Sequence, residues 1–267
     1  MHELAFVFAG FAVGLIVGLT GVGGGSLMTP ILIFFFGIKP HMAVGTDLLF
    51  AAFTKMGGTV SLARQRLVPW KVVGQLCAGS IPAALLALWA LKVLGPASGT
   101  AQAIMTTTLG FALLLTAAAT LYKVVAFSAQ RQAAEAAARK SHTGDPTRPR
   151  HWSLPVLLGA VIGTLVTFTS VGAGAIGVTV LLLVYPMLPL PRIIGADIAY
   201  AVPLTLVAGS GHASLGSVDW PLLAQLLAGS LPGIWLGSRL VARTPERLIR
   251  SALSILLAWA GFKLILI

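Results

Sequence analysis

Gly18-Leu-Thr-Gly-Val-Gly-Gly-Gly-Ser26 decides how this chain is read. Gly21, Gly23, Gly24 and Gly25 fall between two apolar runs, residues 4–19 and 27–36. Glycine is a poor helix residue, so the helix is predicted to break here and to restart with free backbone N–H groups. In lipid such a break survives only where protein or a water-filled cavity covers it. Thr169-Ser-Val-Gly-Ala-Gly174 repeats the device between the runs 154–168 and 176–185. Paired interruptions in corresponding halves are the sequence sign of a transporter's binding site.

Composition places the whole chain in a membrane. Of 267 residues 57% are apolar and only 9% charged, with a mean hydropathy of +0.94. A soluble domain carries about 25% charged residues. The net charge of +11 is concentrated in short connections between apolar runs, as in cytoplasmic loops, and has little aromatic interleaving. A nucleic-acid face is therefore not expected. The single cysteine, Cys77, lies in an apolar run and reads as a small buried residue. Only His2 and Glu3 precede the first run, which reads as a retained span rather than a signal peptide.

Ten apolar runs are present, and six of them approach the roughly 20 residues of a full span. The four beside the glycine breaks are shorter. Residues 4–36 cover about 50 Å as helix, whereas two crossings need roughly 60 Å. Each pair is therefore expected to fold back as a hairpin with its glycine tip inside the membrane. Residues 127–152 carry Arg131, Arg139, Lys140, Arg148 and Arg150 against Glu135 and Asp145. Their alanine-rich first part suits a surface helix, and the Pro, Gly and charge content of the rest suits a linker. The expected division is a first membrane repeat at 1–126, a basic linker at 127–152 and a second repeat at 153–267.

The halves are copies. Gln75-Leu-Cys-Ala-Gly-Ser-Ile-Pro82 returns as Gln225-Leu-Leu-Ala-Gly-Ser-Leu-Pro232, identical at six of eight positions. At the same offset of 150, Gly45, Asp47 and Trp70 match Gly195, Asp197 and Trp220. The connection with Arg64, Arg66 and Lys71 reads as cytoplasmic, while its counterpart at 214–221 has only Asp219 and reads as outside. The linker and the connection with Arg239, Arg243, Arg247 and Arg250 also read as cytoplasmic. Equivalent loops on opposite faces imply inverted topology. The expected fold class is an all-α integral membrane protein of two inverted-topology repeats of five segments, each opening with a glycine-broken helical hairpin, with both termini outside.

An anion entering the membrane needs donors to replace water and some positive potential. A helix restart supplies both. Gly23, Gly24, Gly25 and Ser26 fit that role in the first half, and Gly172, Ala173 and Gly174 in the second, with Thr20, Thr169 and Ser170 adding hydroxyls. Gly10, Gly14 and Gly18 instead have the small-xxx-small spacing of a packing face. Lys55, Asp47, Asp197 and His212 are ionisable groups within spans and should face the protein interior. Lys55 reads as the anion-attracting charge, with pairing to an acid as the plainer alternative. Its second-half counterpart is Thr205, so the half-sites are not equivalent. Asp47, Asp197 and His212 are candidates for ion coupling, against capping for Asp47 and an interfacial position for His212. Pro82, Pro203 and Pro232 sit within spans and are expected to kink them. Trp70 and Trp220 read as interfacial anchors. No metal-ligand spacing and no nucleotide-binding motif is present, so neither metal nor cofactor is expected.

The ordered set comprising the glycine break, Ala43-Val-Gly-Thr-Asp47, Val68-Pro-Trp70, Gly79-Ser-Ile-Pro82 and a weaker second copy resembles the sulfite exporter TauE/SafE family. The resemblance covers the chain apart from its linker. It implies a bacterial inner-membrane protein that moves small sulfur-containing anions such as sulfite, sulfoacetate and related organosulfonates. Where that family usually has Gly-Thr-Ser, this chain has Gly45-Thr46-Asp47 and Gly195-Ala196-Asp197, a departure that favours proton or cation coupling. The expected function is secondary transport of a small sulfur oxyanion, by export, through alternating access. An anion channel of the same architecture is the alternative, and an enzyme is not expected. The expected partners are a small anion and the lipid bilayer.

Overall fold

The computed structural model describes residues 2–20, 25–140, 153–172, 174–185, 187–240 and 246–265. They form ten helices and, among the described residues, no strand. The first five are α1 (His2–Thr20), α2 (Gly25–Phe34), α3 (Pro40–Arg64), α4 (Trp70–Leu94) and α5 (Gly99–Lys140). The second five are α6 (Leu154–Thr169), α7 (Ala175–Val184), α8 (Leu190–Ser214), α9 (Trp220–Leu240) and α10 (Glu246–Ile265). Proline occupies the first turn of α3, α6 and α8, where its missing N–H costs no helix hydrogen bond.

Among the described residues, Trp70–Leu94, Gly99–Leu121 and Leu190–Ser214 are long and apolar enough to cross a membrane. Leu4–Leu19, Gly25–Phe34, Leu154–Thr169 and Ser251–Ile265 are apolar but shorter. The polar residues of α3, among them Thr46, Asp47, Thr54, Lys55 and Thr59, lower its hydropathy below that of its partner α8. α5 runs unbroken to Lys140, so the alanine-rich stretch expected as a surface helix continues a span. At 42 residues α5 is about 63 Å long, roughly twice the hydrocarbon thickness. The linker residues 141–152 lie outside the described residues.

The first hairpin does reverse. Phe6, near the start of α1, and Phe36, just beyond α2, bring their rings to 4.7 Å. Its two arms nevertheless make few contacts with each other. α1 packs along α9 and α2 leans on α3; correspondingly, α6 packs along α4 and α7 on α8. The equivalent pairs α3 with α8 and α5 with α10 complete the bundle. Trp70 and Trp220 stand exposed at the first residues of α4 and α9, and Cys77 is half-buried in α4.

Glycine makes the long contacts possible. Gly10 and Gly14 lie on the α9 backbone at Leu226 and Ser230, and Gly159 and Gly163 lie on the α4 backbone at Leu76 and Ser80. Gly18 meets α9 in the same way, at Ile234 and Ser238. The partners answer in kind: Gly229 and Gly233 face the Val7 and Phe11 carbonyls, and Gly79 faces that of Val156. Without hydrophobic drive between helices in lipid, such backbone approach is what association relies on. The small-xxx-small stripe of α1 is thus a packing face.

Two buried clusters result, and neither belongs to one half of the sequence. One joins Val72, Leu76 and Leu91 of α4 to Ile162, Val166, Leu181, Tyr200 and Leu204 of the second half. The other joins Val13, Leu27, Met28 and Leu32 to Leu222, Leu226, Leu257 and Leu264. α3 contributes to both, with Val44 and Leu48 in the first and Leu49 and Phe50 in the second.

Gly79→Leu places a side chain into the Val156 carbonyl and is expected to cost about 3 kcal/mol or more, the upper end of core overpacking. Gly74→Leu, on the same helix but facing open space, is expected to change the melting temperature in detergent little. Equal effects at the two positions would remove the glycine contact as the reason for the α4–α6 pairing.

Candidate functional site

The two helix breaks meet. α2 restarts at Gly25, and the carbonyl and hydroxyl of Ser170 lie against the Gly25 Cα, where a side chain would otherwise stand. Ser170 ends α6 in the left-handed region, with φ 58°, and its N–H is bonded to the Val166 carbonyl. Gly172 and Gly174 follow at φ 133° and 135°, a backbone shape that L side chains rarely adopt. α7 then begins at Ala175, its N-cap Gly174 offering no side-chain hydrogen bond. Gly177 N–H donates to the Gly172 carbonyl at 3.0 Å, which leaves Ala175 and Ile176 to supply the opening N–H groups of the helix start. Gly23 and Gly24 lie outside the described residues, as does Ala173.

Directly beneath this junction lies Asp47, fully buried. Thr29 of α2 donates its hydroxyl to Asp47 Oδ2, and the Ser170 hydroxyl lies beside the same carboxyl group. Among the described residues, Oδ1 of Asp47 has no hydrogen-bond partner. A buried carboxyl with unused acceptor capacity is costly, and such groups within membrane spans mark functional sites by default. One residue from each of three segments therefore converges here: the restart of α2, the end of α6 and the first half of α3.

The second half builds a related arrangement around Asp197, which is also buried. Thr179 precedes Asp197 by the same 18 residues that separate Thr29 from Asp47. Asp197 Oδ1 fills the space where a Cβ of Gly177 would be, so glycine in the first turn of α7 is what admits the carboxyl group. Tyr200, one turn further along α8, is fully buried within electrostatic reach of Asp197, and its hydroxyl has no hydrogen-bond partner among the described residues. Lys55 on α3 is half-buried and interacts electrostatically with both Asp47 and Asp197. Its counterpart Thr205 spends its hydroxyl on the Ala201 carbonyl of its own helix, at 2.8 Å. One lysine thus serves two carboxyl groups.

The remaining residues singled out from the sequence divide. Ser26 is buried at the α2 restart, and Gly25, Ser170, Gly172 and Gly174 lie at the junction. Thr169 is committed to the turn itself: its hydroxyl donates to the Leu165 carbonyl at 2.6 Å and accepts from Val171 N–H at 3.1 Å. Only the backbone of Thr20 is described. His212 stands apart from the carboxyl groups. It lies fifteen residues beyond Asp197, roughly 22 Å along α8. It is fully buried, with Nε2 3.0 Å from the Thr167 carbonyl, and its electrostatic neighbour is His41.

Thr29, Tyr200 and Thr179 were not evident from residue type alone. The signal available was the repeat itself, since the offset of 150 that pairs Asp47 with Asp197 also pairs Thr29 with Thr179.

Gly25→Val drives a branched side chain into the Ser170 carbonyl, and about 1–3 kcal/mol of overpacking is expected to fall on the junction. Thr29→Val keeps the shape but leaves Asp47 without its donor, an expected loss of about 1–3 kcal/mol. Thr29→Ser restores the hydroxyl and should recover most of that loss. Thermal melting in detergent reads all three; a Thr29→Val protein as stable as the parent would show that this hydrogen bond is not needed.

Comparison with known proteins follows the same lines. The sequence profile of the sulfite exporter TauE/SafE family matches residues 6–264. A probable membrane transporter protein of Bacillus subtilis, YjnA, is 35% identical over 98% of this chain and 100% of its own length. A second from that organism, YdhB, is 26% identical over 96% of this chain and 97% of its own. A probable membrane transporter protein of Xylella fastidiosa is 25% identical over 88% of this chain and 83% of its own. No solved structure matches. Apolar helices, interrupted spans and a match over nearly the whole length agree: the chain is a membrane transporter protein and belongs to the sulfite exporter TauE/SafE family.

Proposed function

We propose that this protein is a secondary transporter that exports a small sulfur oxyanion, such as sulfite or an organosulfonate such as sulfoacetate, across the bacterial inner membrane. The observation that carries this reading is the junction of the two helix breaks above a buried carboxyl, within reach of one lysine. Tetrahedral oxyanions accept several hydrogen bonds at once, and helix starts offer clustered donors with favourable dipoles. In this reading Gly25 and Ser26 on one side, and Ser170, Gly172 and Gly174 on the other, form the cradle. Lys55 supplies the attracting charge, and Asp47 and Asp197 carry the coupling proton.

The two five-helix repeats are inverted, with the linker and the arginine-rich connections cytoplasmic and both termini outside. The equivalent pairings of α1 with α9 and α6 with α4 support a two-fold relation between the halves. Under alternating access the hairpins exchange exposure about that axis, each braced on the glycine-lined helix of the other half. Pro82, Pro203 and Pro232 lie within α4, α8 and α9, where each removes a helix hydrogen bond and gives a place to flex.

The test is flux into proteoliposomes with sulfite, sulfoacetate, thiosulfate and sulfate as competitors. Saturable uptake of sulfite and sulfoacetate, with sulfate the weaker competitor, is expected. Lys55→Ala should lower that uptake by at least about a hundredfold, as for losing a charged partner worth about 3 kcal/mol, while the protein stays monodisperse. Undiminished uptake removes Lys55 from the site. Non-saturating conduction without counterflow replaces the transporter with a channel.

A further inference from the structure

We propose that anion and proton cross together: one proton accompanies each singly charged anion, Asp47 and Asp197 hold the protons, and the cycle moves no net charge. This rests on the transport reading above and specifies its coupling and the charge of its substrate.

The argument is one of charge balance in a place where imbalance is costly. Asp47 and Asp197 are both buried, and Lys55 interacts with each of them. At the position equivalent to Lys55 the second repeat has Thr205, which is bonded to its own helix. The titratable groups facing this set from other positions are Tyr200 on α8 and, behind it, Cys77 on α4. Thr29 and Ser170 add only hydroxyls. Lys92, Arg192 and Lys263 stand exposed near helix ends.

With both carboxyls ionised the set holds one net negative charge, which already disfavours an anion. With one carboxyl protonated the remaining carboxylate and Lys55 offset each other, and the empty site is neutral. A monovalent anion arriving at that site restores the deficit unless a second proton arrives with it. The proton leaves water on the open side and forms an O–H bond with the ionised carboxylate. It returns to water on the opposite side when the anion departs, and no bond to the anion is made or broken. A fixed charge at hydrocarbon depth is unfavourable, so the neutral loaded and neutral empty forms are the ones that reorient. Thr29 prepares one of these positions, since its hydroxyl can donate to the ionised carboxyl and accept from the protonated one.

Two consequences separate this from other modes of coupling. Anion and proton move in the same direction, so an imposed pH difference drives the anion while membrane potential does not, and export in the cell runs down the anion's own outward gradient. A doubly charged anion leaves one charge uncompensated, which selects hydrogensulfite and simple sulfonates over sulfate and admits sulfoacetate as its carboxyl-protonated monoanion.

The experiment uses the full chain in sealed liposomes with a trapped pH dye. The probes are sulfite and methanesulfonate, the second being singly charged at every working pH. The expected result is internal acidification by one proton per methanesulfonate taken up, faster uptake with an acidic exterior, and no response to a potassium diffusion potential. Saturable uptake without proton movement, uptake driven by the potential, or protons moving against the anion would each overturn the coupling and leave the transport reading intact. Absence of saturable uptake of either probe overturns both. Asp47→Asn combined with Asp197→Asn should abolish proton movement and make the remaining uptake follow the potential. Proton movement persisting at the wild-type ratio in that variant would place the carrier on another residue. Should the variant not fold, the ratio measured on the wild type decides the matter alone.

Discussion

A helix interrupted within hydrocarbon leaves peptide groups that no water can reach, and the rest of this structure serves to cover them. The described edges of the two breaks meet: Gly25 at one restart rests on Ser170 at the end of the opposite arm. This mutual cover explains why the interruptions come as a pair. A single broken helix would need another element to enclose it. It also sets a buried carboxyl group at each helix start, Asp47 by Thr29 of α2 and Asp197 by Gly177 of α7, and Lys55 interacts electrostatically with both.

Holding those tips in place falls to the glycine-lined contacts of α1 with α9 and of α6 with α4. The hairpin arms make few contacts with each other, so each hairpin is fixed by a helix from the other half. Neither half then has a core of its own, and the two buried clusters each draw on both repeats. Such an arrangement suits a transporter of this family.

Symmetry in the backbone coexists with asymmetry in the chemistry. The turn after α3 and the turn after α8 share a left-handed residue, Arg66 at φ 57° and Gly216 at φ 68°. The glycines at 45 and 195 meet the equivalent carbonyls of Ser217 and Leu67. Lys55, however, has Thr205 as its counterpart, and the buried pair His41 and His212 is not repeated. A duplicated scaffold sets where charges can be placed, and single substitutions in one copy decide which charges are there.

Much of this was written in the sequence. Glycine and proline content, hydropathy and basic connections identify an all-helical membrane chain with two interrupted hairpins, because backbone satisfaction in lipid permits few alternatives. The small-xxx-small stripe at Gly10, Gly14 and Gly18 announced close packing, and the repeat at offset 150 announced equivalent halves. What the sequence left open was the partner of each surface. That α1 would choose α9 rather than its own hairpin arm, that Ser170 would reach Asp47, and that Thr169 would be consumed by its own turn are matters of distance between residues far apart in the chain. Periodicity and composition report which face is apolar and which backbone is free. Only the packed structure decides what that face meets, because apolar helices in lipid are sorted by shape and by backbone approach, which a one-dimensional pattern does not encode.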